Sequence, residues 1–482
     1  MTEMIVKTGW RYAGALSALS ASERASLLQR SSSTSALVRQ RTEEILRRMQ
    51  ADGDSALREL AREYDGVSLD ALEVPRAAIQ RALAKIEPAL RSALDGAARN
   101  IEAVHAASPP RTVEVETEPG VIVGRRPDPL QRVGVYSPGG RAVYASSVLM
   151  AGIPARVAGV SEIILCSPPQ NDGLPARVVL AACEIAGVDR VFSVGGAGAI
   201  AAMAYGTETV PRVDRIVGPG NAYVAEAKLQ VSRDVGIDSP AGPSELLVIC
   251  DAGCDVRTIA REVLAQAEHD VNACIVVVCL DDATAFSIAT AVEQILPNAP
   301  RADVIREALE QRGALLTTAS ITDAVDFAND FAPEHLLLAL TDREAGSGKR
   351  EAGNGKREAG SGKREAGYGL HVTGNGQRVQ LTDSAYLEDV LSGIRNAGTV
   401  FLGEQSSVVF GDYISGGNHV LPTGGLARSY SGLGPLDFVR WTSYQSVTRD
   451  AAQRLANDTA ILAAAEGLPA HAAAALGWSD RC

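Results

Sequence analysis

The sequence lacks the features expected of a membrane, secreted or nucleic-acid-binding protein. Its net charge of −12 argues against nucleic acid or an anionic membrane as the main partner. No apolar run approaches the length that spans a bilayer, and the N-terminal MTEMIVKTGWRYAG has no apolar core of the kind that a signal peptide needs. The seven cysteines form neither a CxxC pair nor an even disulfide ladder. We therefore expect a cytoplasmic protein.

The chain is too long for one simple core. It has 482 residues, 46% hydrophobic and 22% charged, which is typical of a globular protein with two or more domains. Helical periodicity runs from about residue 21 to 106, and an alternating segment with a turn at Pro119-Gly120 follows. Short β-rich runs such as RVGVYS, EIILCS and ACIVVVCL then alternate with helical segments, and after about 426 the chain turns helical again. This pattern predicts parallel α/β units flanked by helical ends.

Four side chains suggest a metal site. Gln266 and His269 stand three residues apart in LAQAEHD, so a helix would place both on one face. Asp412 precedes a glycine-rich loop after a predicted strand, and His471 follows a helix stop. Amide, imidazole and carboxylate ligands without thiolate suit a zinc ion that keeps positions open for substrate. Each residue alone also fits a plainer interpretation as a solvated surface or turn side chain.

Glu334 and His335 are candidates for proton transfer. They follow Pro333 and begin the apolar run HLLLAL, which predicts a strand. A histidine is a suitable general base for an alcohol, and the adjacent carboxylate could activate water. A capping glutamate and a buried, hydrogen-bonded histidine would explain PEH equally well if it stood alone.

Glycine clusters follow several of the predicted strands. They occur at 137–140, 195–199, 218–221 and 241–244, where backbone amides could approach a phosphate. GAGAIA at 196–201 fits a dinucleotide-binding pattern, although tight turns between strand and helix explain such clusters as well.

Taken together, six ordered phrases resemble histidinol dehydrogenases. They are GPGNAYVAEAK, DSPAGPSELLVI, LAQAEHD, FAPEHLLL, GDYISGGNHVLPTGG and AAAEGLPAH, and the resemblance runs from about residue 10 to 475. It implies a dimeric enzyme that oxidises L-histidinol to L-histidine with NAD and zinc. The implied fold is two Rossmann-like α/β domains with helical N-terminal and C-terminal extensions.

The resemblance also implies roles for individual residues. Zinc would be bound by Gln266, His269, Asp412 and His471, and these four would also contact substrate. His335 would be the general base, and Glu334 would activate water. Further substrate contacts would come from Ser244, Glu334, His335, His419 and Glu466. Cofactor contacts would come from Tyr136, Gly198 and Asn221. Glu466 and His471 would serve the partner's site, because the C-terminal segment crosses over in the family's homodimer.

The same resemblance suggests domain limits. Residues 1–20 would form an N-terminal extension, and residues 21–134 with 246–425 a first α/β domain. Residues 135–245 would form a second, NAD-binding domain, and 426–482 the C-terminal helical segment that crosses to the partner.

One departure from the family and three alternatives stay open. The family usually has glutamine where this chain has Gly198, which predicts weaker NAD binding and a lower KM for NAD in Gly198→Gln. A relative that oxidises another small alcohol, such as a sulfonated diol, is the main alternative; Ser244 with Glu466 and His471 favours histidinol. A non-catalytic binding protein and a zinc hydrolase fit less well with the ordered motifs.

A repeat interrupts the resemblance directly after the strand that His335 begins. Four copies of a seven-residue phrase such as REAGSGK occupy residues 343–370, and each copy contains two glycines and charges of both signs. The copies present no apolar face, which excludes a coiled coil and predicts a solvated flexible loop. Removing 341–381 would leave an ordinary strand-to-helix turn, and HVTGNGQRVQL at 371–381 is a possible hairpin. We expect the insert to leave the strand at the end away from His335.

Overall fold

The computed structural model describes residues 9–30, 36–139, 143–240, 242–341 and 384–479. The predicted repeat and the predicted hairpin after it lie outside these residues. The strands are β1 (Tyr12–Ala15), β2 (Val113–Glu118), β3 (Val121–Pro129), β4 (Arg132–Tyr136), β5 (Glu162–Ser167), β6 (Arg190–Ser193), β7 (Arg215–Val217), β8 (Gly236–Ile237), β9 (Glu245–Cys250), β10 (Cys274–Cys279), β11 (Ala314–Thr317), β12 (His335–Ala339), β13 (Thr399–Leu402) and β14 (Val439–Val447).

The α-helices cover much of the remaining described chain. They are α1 (Ala21–Leu28), α2 (Ala36–Leu60), α3 (Arg76–Ala84), α4 (Pro88–Ala106), α5 (Ala145–Val157), α6 (Arg177–Ala186), α7 (Gly196–Tyr205), α8 (Ala222–Val231), α9 (Val256–Ala267), α10 (Asp282–Ile295), α11 (Ala302–Arg312), α12 (Ile321–Phe331), α13 (Ala385–Gly393), α14 (Val408–Tyr413), α15 (Arg449–Ala465) and α16 (Pro469–Leu476).

The largest sheet has six parallel strands in the order β1-β11-β10-β9-β12-β13. Helices α9, α10 and α11 pack on one face, and α1, α12 and α13 pack on the other. Because both faces are covered, its central strands are apolar after their first residue, as in CIVVVC of β10 and HLLLA of β12.

The second sheet is parallel, with the strand order β6-β5-β4-β7-β8. Helices α3 to α6 cover one face, and α2, α7 and α8 cover the other. The chain runs outward from β4 through β5 to β6, then returns to place β7 on the other side of β4. The predicted α/β class, with doubly covered parallel sheets, is therefore confirmed.

The helices before residue 110 group differently from the predicted domain limits. Helices α2, α3 and α4 pack on the five-stranded sheet, contributing buried residues such as Leu57 and Ile101. Strand β1, from the predicted N-terminal extension, instead forms an edge of the six-stranded sheet. Periodicity identifies which face of a helix is buried but does not identify the sheet that covers it.

The sequence predicted a wholly helical C-terminal segment, but the structure shows that part of it is a strand. Strand β14 pairs antiparallel with β3, which also pairs with β2 across the predicted turn at Pro119-Gly120. The pairing partner of β14 lies about three hundred residues earlier, so no local signal announces it. Helices α15 and α16 follow as predicted.

Buried thiols and helix lengths complete the description of the fold. The cysteines at 166, 183, 250, 254, 274 and 279 are free and buried. No helix in the described part of the chain combines the length and apolar character that a bilayer crossing demands.

Candidate active site

Glu334 and His335 lie at the amino edge of the six-stranded sheet. Helix α12 ends at Phe331 and is followed by Ala332 in a left-handed conformation (φ 50°); after Pro333 and Glu334 the chain enters β12. His335 is the first residue of that strand, in register with Leu246 of β9 and Thr399 of β13. Both candidate catalytic side chains are buried, with residue exposures of 6% and 3%.

The backbone of Glu245, at the start of β9, holds both side chains. Its N–H donates to Glu334 Oε2 at 2.8 Å, and its carbonyl oxygen lies 3.1 Å from His335 Nδ1. Because a carbonyl oxygen can only accept, Nδ1 carries a proton. The other ring nitrogen, Nε2, is therefore the one available as a base, and it lies 3.4 Å from Asp412 Oδ1.

The surrounding charges favour the protonated form of His335. Burial lowers the pKa of His335, but the carboxylates of Glu334 and Asp412 outweigh burial and raise the pKa to about 10. Burial raises the pKa of Glu334, and nearby His335 partly offsets that effect. Burial would also raise the pKa of Asp412, but His335, His419 and His269 lower it overall. The site thus stabilises the imidazolium that proton abstraction would produce.

Asp412 lies in the short helix α14, which follows strand β13 and precedes the glycine-rich loop, in the order that the sequence predicted. Helix α14 is fixed to α9 by Glu262, a buried residue of α9. The Glu262 carboxylate accepts hydrogen bonds from Ser407 Oγ and from the Val408 N–H, at 3.2 Å for the second. Since α9 also carries Gln266 and ends just before His269, Glu262 connects the elements that hold three predicted metal ligands.

Gln266, in α9, and His269, just after the end of α9, have side chains that suit a metal. Gln266 is buried, and its Nε2 has no hydrogen-bond partner among the described residues. His269 lies 3.2 Å from Ser244 Oγ through Nδ1, which leaves Nε2 available, and its ring interacts electrostatically with Asp412. No group of three or more His, Cys, Asp or Glu residues within the described ranges is arranged to hold a metal. One amide, one imidazole and one carboxylate therefore form an incomplete set that fits zinc with a further ligand from elsewhere.

His419 bridges the two sheets. Its Nδ1 donates to the Asp412 carbonyl oxygen at 2.7 Å, so Nε2 accepts from Ser147 Oγ at 3.0 Å. Ser147 lies in α5, the helix that follows β4 of the five-stranded sheet. Burial lowers the pKa of His419, in keeping with a neutral ring. The structure thus brings the predicted substrate-contact residues Ser244, Glu334, His335 and His419 into one cluster with Asp412 and His269.

Glu466 and His471 do not join this cluster. Glu466 caps the C-terminus of α15, His471 lies in α16, and both are exposed. Large apolar side chains on the same two helices are also exposed, including Leu462 at 67% and Ile461 at 59%.

The predicted cofactor residues lie at the carboxyl edge of the five-stranded sheet. Tyr136 ends β4 and is buried, and its hydroxyl accepts from the Gly196 N–H at 3.1 Å. Burial raises the pKa of Tyr136 to about 12. Asn221, which caps α8 through bonds to the N–H groups of Tyr223 and Val224, follows the adjacent strand β7. The chain changes direction between β4 and β7, and dinucleotides bind at such crevices in α/β sheets.

Comparison with known proteins identifies the family. A sequence model described as histidinol dehydrogenase matches residues 28–354 and 379–476. Histidinol dehydrogenase of Methanothermobacter thermautotrophicus is 43% identical over 429 residues, covering 89% of this chain and 90% of that protein. Histidinol dehydrogenase of Burkholderia lata is 41% identical over 459 residues, covering 93% and 94%. The chain belongs to the histidinol dehydrogenase family. It is therefore an oxidoreductase.

A solved structure agrees with this assignment. Histidinol dehydrogenase of Elizabethkingia anophelis is 32% identical and superimposes with a TM-score of 0.84, covering 98% of each chain. The family model is interrupted at residues 355–378, within the segment that the sequence motifs assigned to the insert, and it begins at residue 28 rather than at about residue 10.

The histidinol dehydrogenase resemblance predicted a cofactor contact at Gly198. In the structure, a side chain at this position would face helix α2. A Cβ at residue 198 would lie 2.8 Å from Leu60 Cδ1 and 3.6 Å from Leu57 Cδ2, both in α2. Gly198 therefore allows α7 to pack closely against α2. The expectation that Gly198→Gln lowers the KM for NAD stays a prediction, and the packing opposes it, because the glutamine side chain would first enter the helix interface.

Sequence analysis missed Glu245 and Glu262 in this histidinol dehydrogenase family member. Glu245 precedes the apolar run LLVIC, and Glu262 lies on the buried face of α9. A glutamate among residues otherwise suited to a core was the available signal, since buried carboxylates almost always have partners.

Proposed function

We propose that this protein oxidises L-histidinol through L-histidinal to L-histidine in two NAD-dependent steps, the last steps of histidine biosynthesis. The observation that carries the proposal is the placement of His335 between Glu334 and Asp412 in a buried site. Family membership supports the substrate, since the relatives are named for histidinol.

His335 is the proposed general base of both oxidations. Its Nε2 would remove the hydroxyl proton of the alcohol while a hydride moves to NAD from the carbon that carries this hydroxyl. Nδ1 keeps its proton on the Glu245 carbonyl oxygen, so the ring accepts at one defined atom. The carboxylates of Glu334 and Asp412 stabilise the resulting imidazolium.

Glu334 is the proposed activator of water at the aldehyde stage. One of its oxygens, Oε2, accepts from the Glu245 N–H, which leaves Oε1 to accept a proton from water. Water adds to the aldehyde carbon, and the hydrate loses a second hydride to a second NAD with His335 again as base. The balance is one alcohol, one water and two NAD converted to one carboxylate, two NADH and three protons.

Zinc is the proposed metal, bound by Gln266, His269 and Asp412 with His471 of the partner subunit. When bound there, the ion would hold the imidazole and amino groups of the substrate beside His335. The buried Gln266 amide, whose oxygen is the atom that could bind zinc, supports this assignment. The exposed apolar residues of α15 and α16 support a homodimer in which this segment reaches the partner's site.

NAD is proposed to bind at the edge formed by Tyr136 and Asn221. Ser147 supports this proposal. Its hydrogen bond to His419 connects the helix that follows β4 with the cluster that contains Glu334 and His335.

The test measures NADH released from L-histidinol and from a panel of other small alcohols that includes a sulfonated diol. We expect two NADH per L-histidinol, loss of activity with a chelator, and a fall in kcat of about 10²–10⁴-fold in His335→Asn. Preference for another alcohol would overturn the substrate assignment. One NADH per substrate would overturn the role of Glu334.

A further inference from the structure

A buried ion pair lies directly behind the Glu334 and His335 side chains. Arg30 Nε and Nη2 donate to the two carboxylate oxygens of Glu245 at 2.8 and 3.0 Å. The two side chains are 2% and 3% exposed. A bidentate pair of this kind has strict geometry, and burying it removes both charges from water.

The pair contacts the chain segments that carry Glu334, His335 and His419. Arg30 also donates to the Phe331 carbonyl oxygen at 2.7 Å and stacks on the Phe331 ring at 3.4 Å, just before Glu334. Glu245 Oε1 accepts from the Gly424 N–H at 2.8 Å, in the loop that continues from His419. The backbone of Glu245 contacts Glu334 and His335 as described above. Four separate segments of the chain are thus held together by Arg30 and Glu245.

Stability alone does not account for such a pair. Replacing both members of a buried ion pair by apolar residues of similar volume is often neutral or stabilising. A core of leucine or methionine would fill the same space but would not fix the Phe331 carbonyl, the Gly424 N–H and Glu245 at defined distances.

From these contacts we infer that Arg30 and Glu245 are positioning residues that hold Glu334, His335 and the His419 loop in their reactive arrangement. The inference rests on the roles proposed for Glu334 and His335. Small displacements of reacting groups cost large factors in rate, so loss of the pair should lower kcat more than it changes binding of NAD.

The decisive variant is Arg30→Met/Glu245→Leu, which removes both charges together. We expect its urea midpoint and zinc content to match the wild type, its KM for NAD to change by less than about twofold, and its kcat with L-histidinol to fall at least tenfold. Arg30→Lys, which keeps the charge but loses the bidentate geometry, should give an intermediate kcat. A double variant with the wild-type kcat would overturn the inference.

A control pair with the same bidentate geometry, but with side chains 32% and 39% exposed, includes Arg190 at the start of β6, an outer strand of the five-stranded sheet. Arg190 binds Glu73 in the same bidentate manner, at 2.8 and 2.7 Å. Arg190→Met/Glu73→Leu should leave kcat unchanged. An equal loss of kcat in this control would show a general effect of removing ion pairs and would overturn the inference.

Further measurements distinguish failure of the positioning role from failure of the proposed function. If the Arg30/Glu245 double variant does not fold, Arg30→Lys decides: a kcat below about a third of wild type supports positioning, and an unchanged kcat overturns it. His335→Asn is measured in parallel. Full activity in that variant would overturn the proposed function itself, whereas its inactivity beside an active double variant would overturn the positioning role alone.

Discussion

Gly198→Ala should destabilise the protein, although alanine is normally the better helix former. The new Cβ would lie 2.8 Å from Leu60 Cδ1, closer than carbon atoms pack without displacement. The clashing atom ends a side chain, but Leu60 is buried in the core beside Leu57 and has little room to move aside. Overpacking of this kind costs about 1–3 kcal/mol, and the gain in helix propensity offsets about 1 kcal/mol of it. We therefore expect a net loss of roughly 0–2 kcal/mol in the free energy of unfolding.

Gly198→Gln should lose more, roughly 2–4 kcal/mol, because the amide would also be buried without a partner. Its KM for NAD should not fall. The assay is urea unfolding for stability, with initial-rate kinetics for the KM.

The control substitution is Gly96→Ala in α4. A Cβ at residue 96 would meet only Arg99 Nη2, at 3.8 Å, so this change should stabilise by about 1 kcal/mol. In a Leu60→Ala background, Gly198→Ala should become less harmful, since the clashing methyl group is gone. The reasoning is refuted if Gly198→Ala stabilises as much as Gly96→Ala, or if Gly198→Gln lowers the KM for NAD at an unchanged urea midpoint.

Four further predictions concern metal, insert, dimer and pH. Glu262→Gln should weaken zinc binding about 10–100-fold in a chelator competition, with kcat recovering at excess zinc; unchanged affinity would contradict the link between α9 and α14. Deleting 341–381 should leave kcat within about twofold, because the insert follows the far end of β12; a tenfold loss would place it at the site. When inactive His335→Asn and His471→Ala dimers are mixed and exchange subunits, one of the two sites in each mixed dimer has both wild-type histidines. About a quarter of wild-type activity should therefore return, whereas no recovery would argue against a shared site. Burial raises the pKa of Asp65 from 3.8 to about 6, so its contribution to stability is lost as pH rises through 6. Asp65→Asn should therefore have a higher urea midpoint than wild type at pH 8 but not at pH 4.

The position of the insert shows how far local sequence reasoning reached. Thr341, the first residue of the 341–381 segment and the last one described before the repeat, donates to Asp251 through its N–H at 2.9 Å and its hydroxyl at 3.0 Å. Asp251 directly follows β9, so this contact lies at the carboxyl edge, opposite Glu245 and His335. Deletion of 341–381 would bring Thr382 to the same place, which gives the shortened chain a matching threonine.

By itself, the sequence determined the α/β class, most strands and helices, and the family. These depend on local periodicity and on ordered motifs such as LAQAEHD and FAPEHLLL, which can be recognised without knowing how the chain packs. Only the tertiary structure decided which sheet the helices of residues 36–106 cover, and that residues 439–447 form a strand. Both depend on partners far away in the chain, which periodicity cannot identify.

The same division holds for the site. The sequence picked out Glu334, His335, Gln266, His269 and Asp412 because their chemistry is visible in the residue types. It could not show that Gly198 faces α2, or that Glu245 stands behind the pair with its charge neutralised by Arg30. Those facts follow from where strands and helices meet in space, and a side chain's direction is set only when its neighbours are in place.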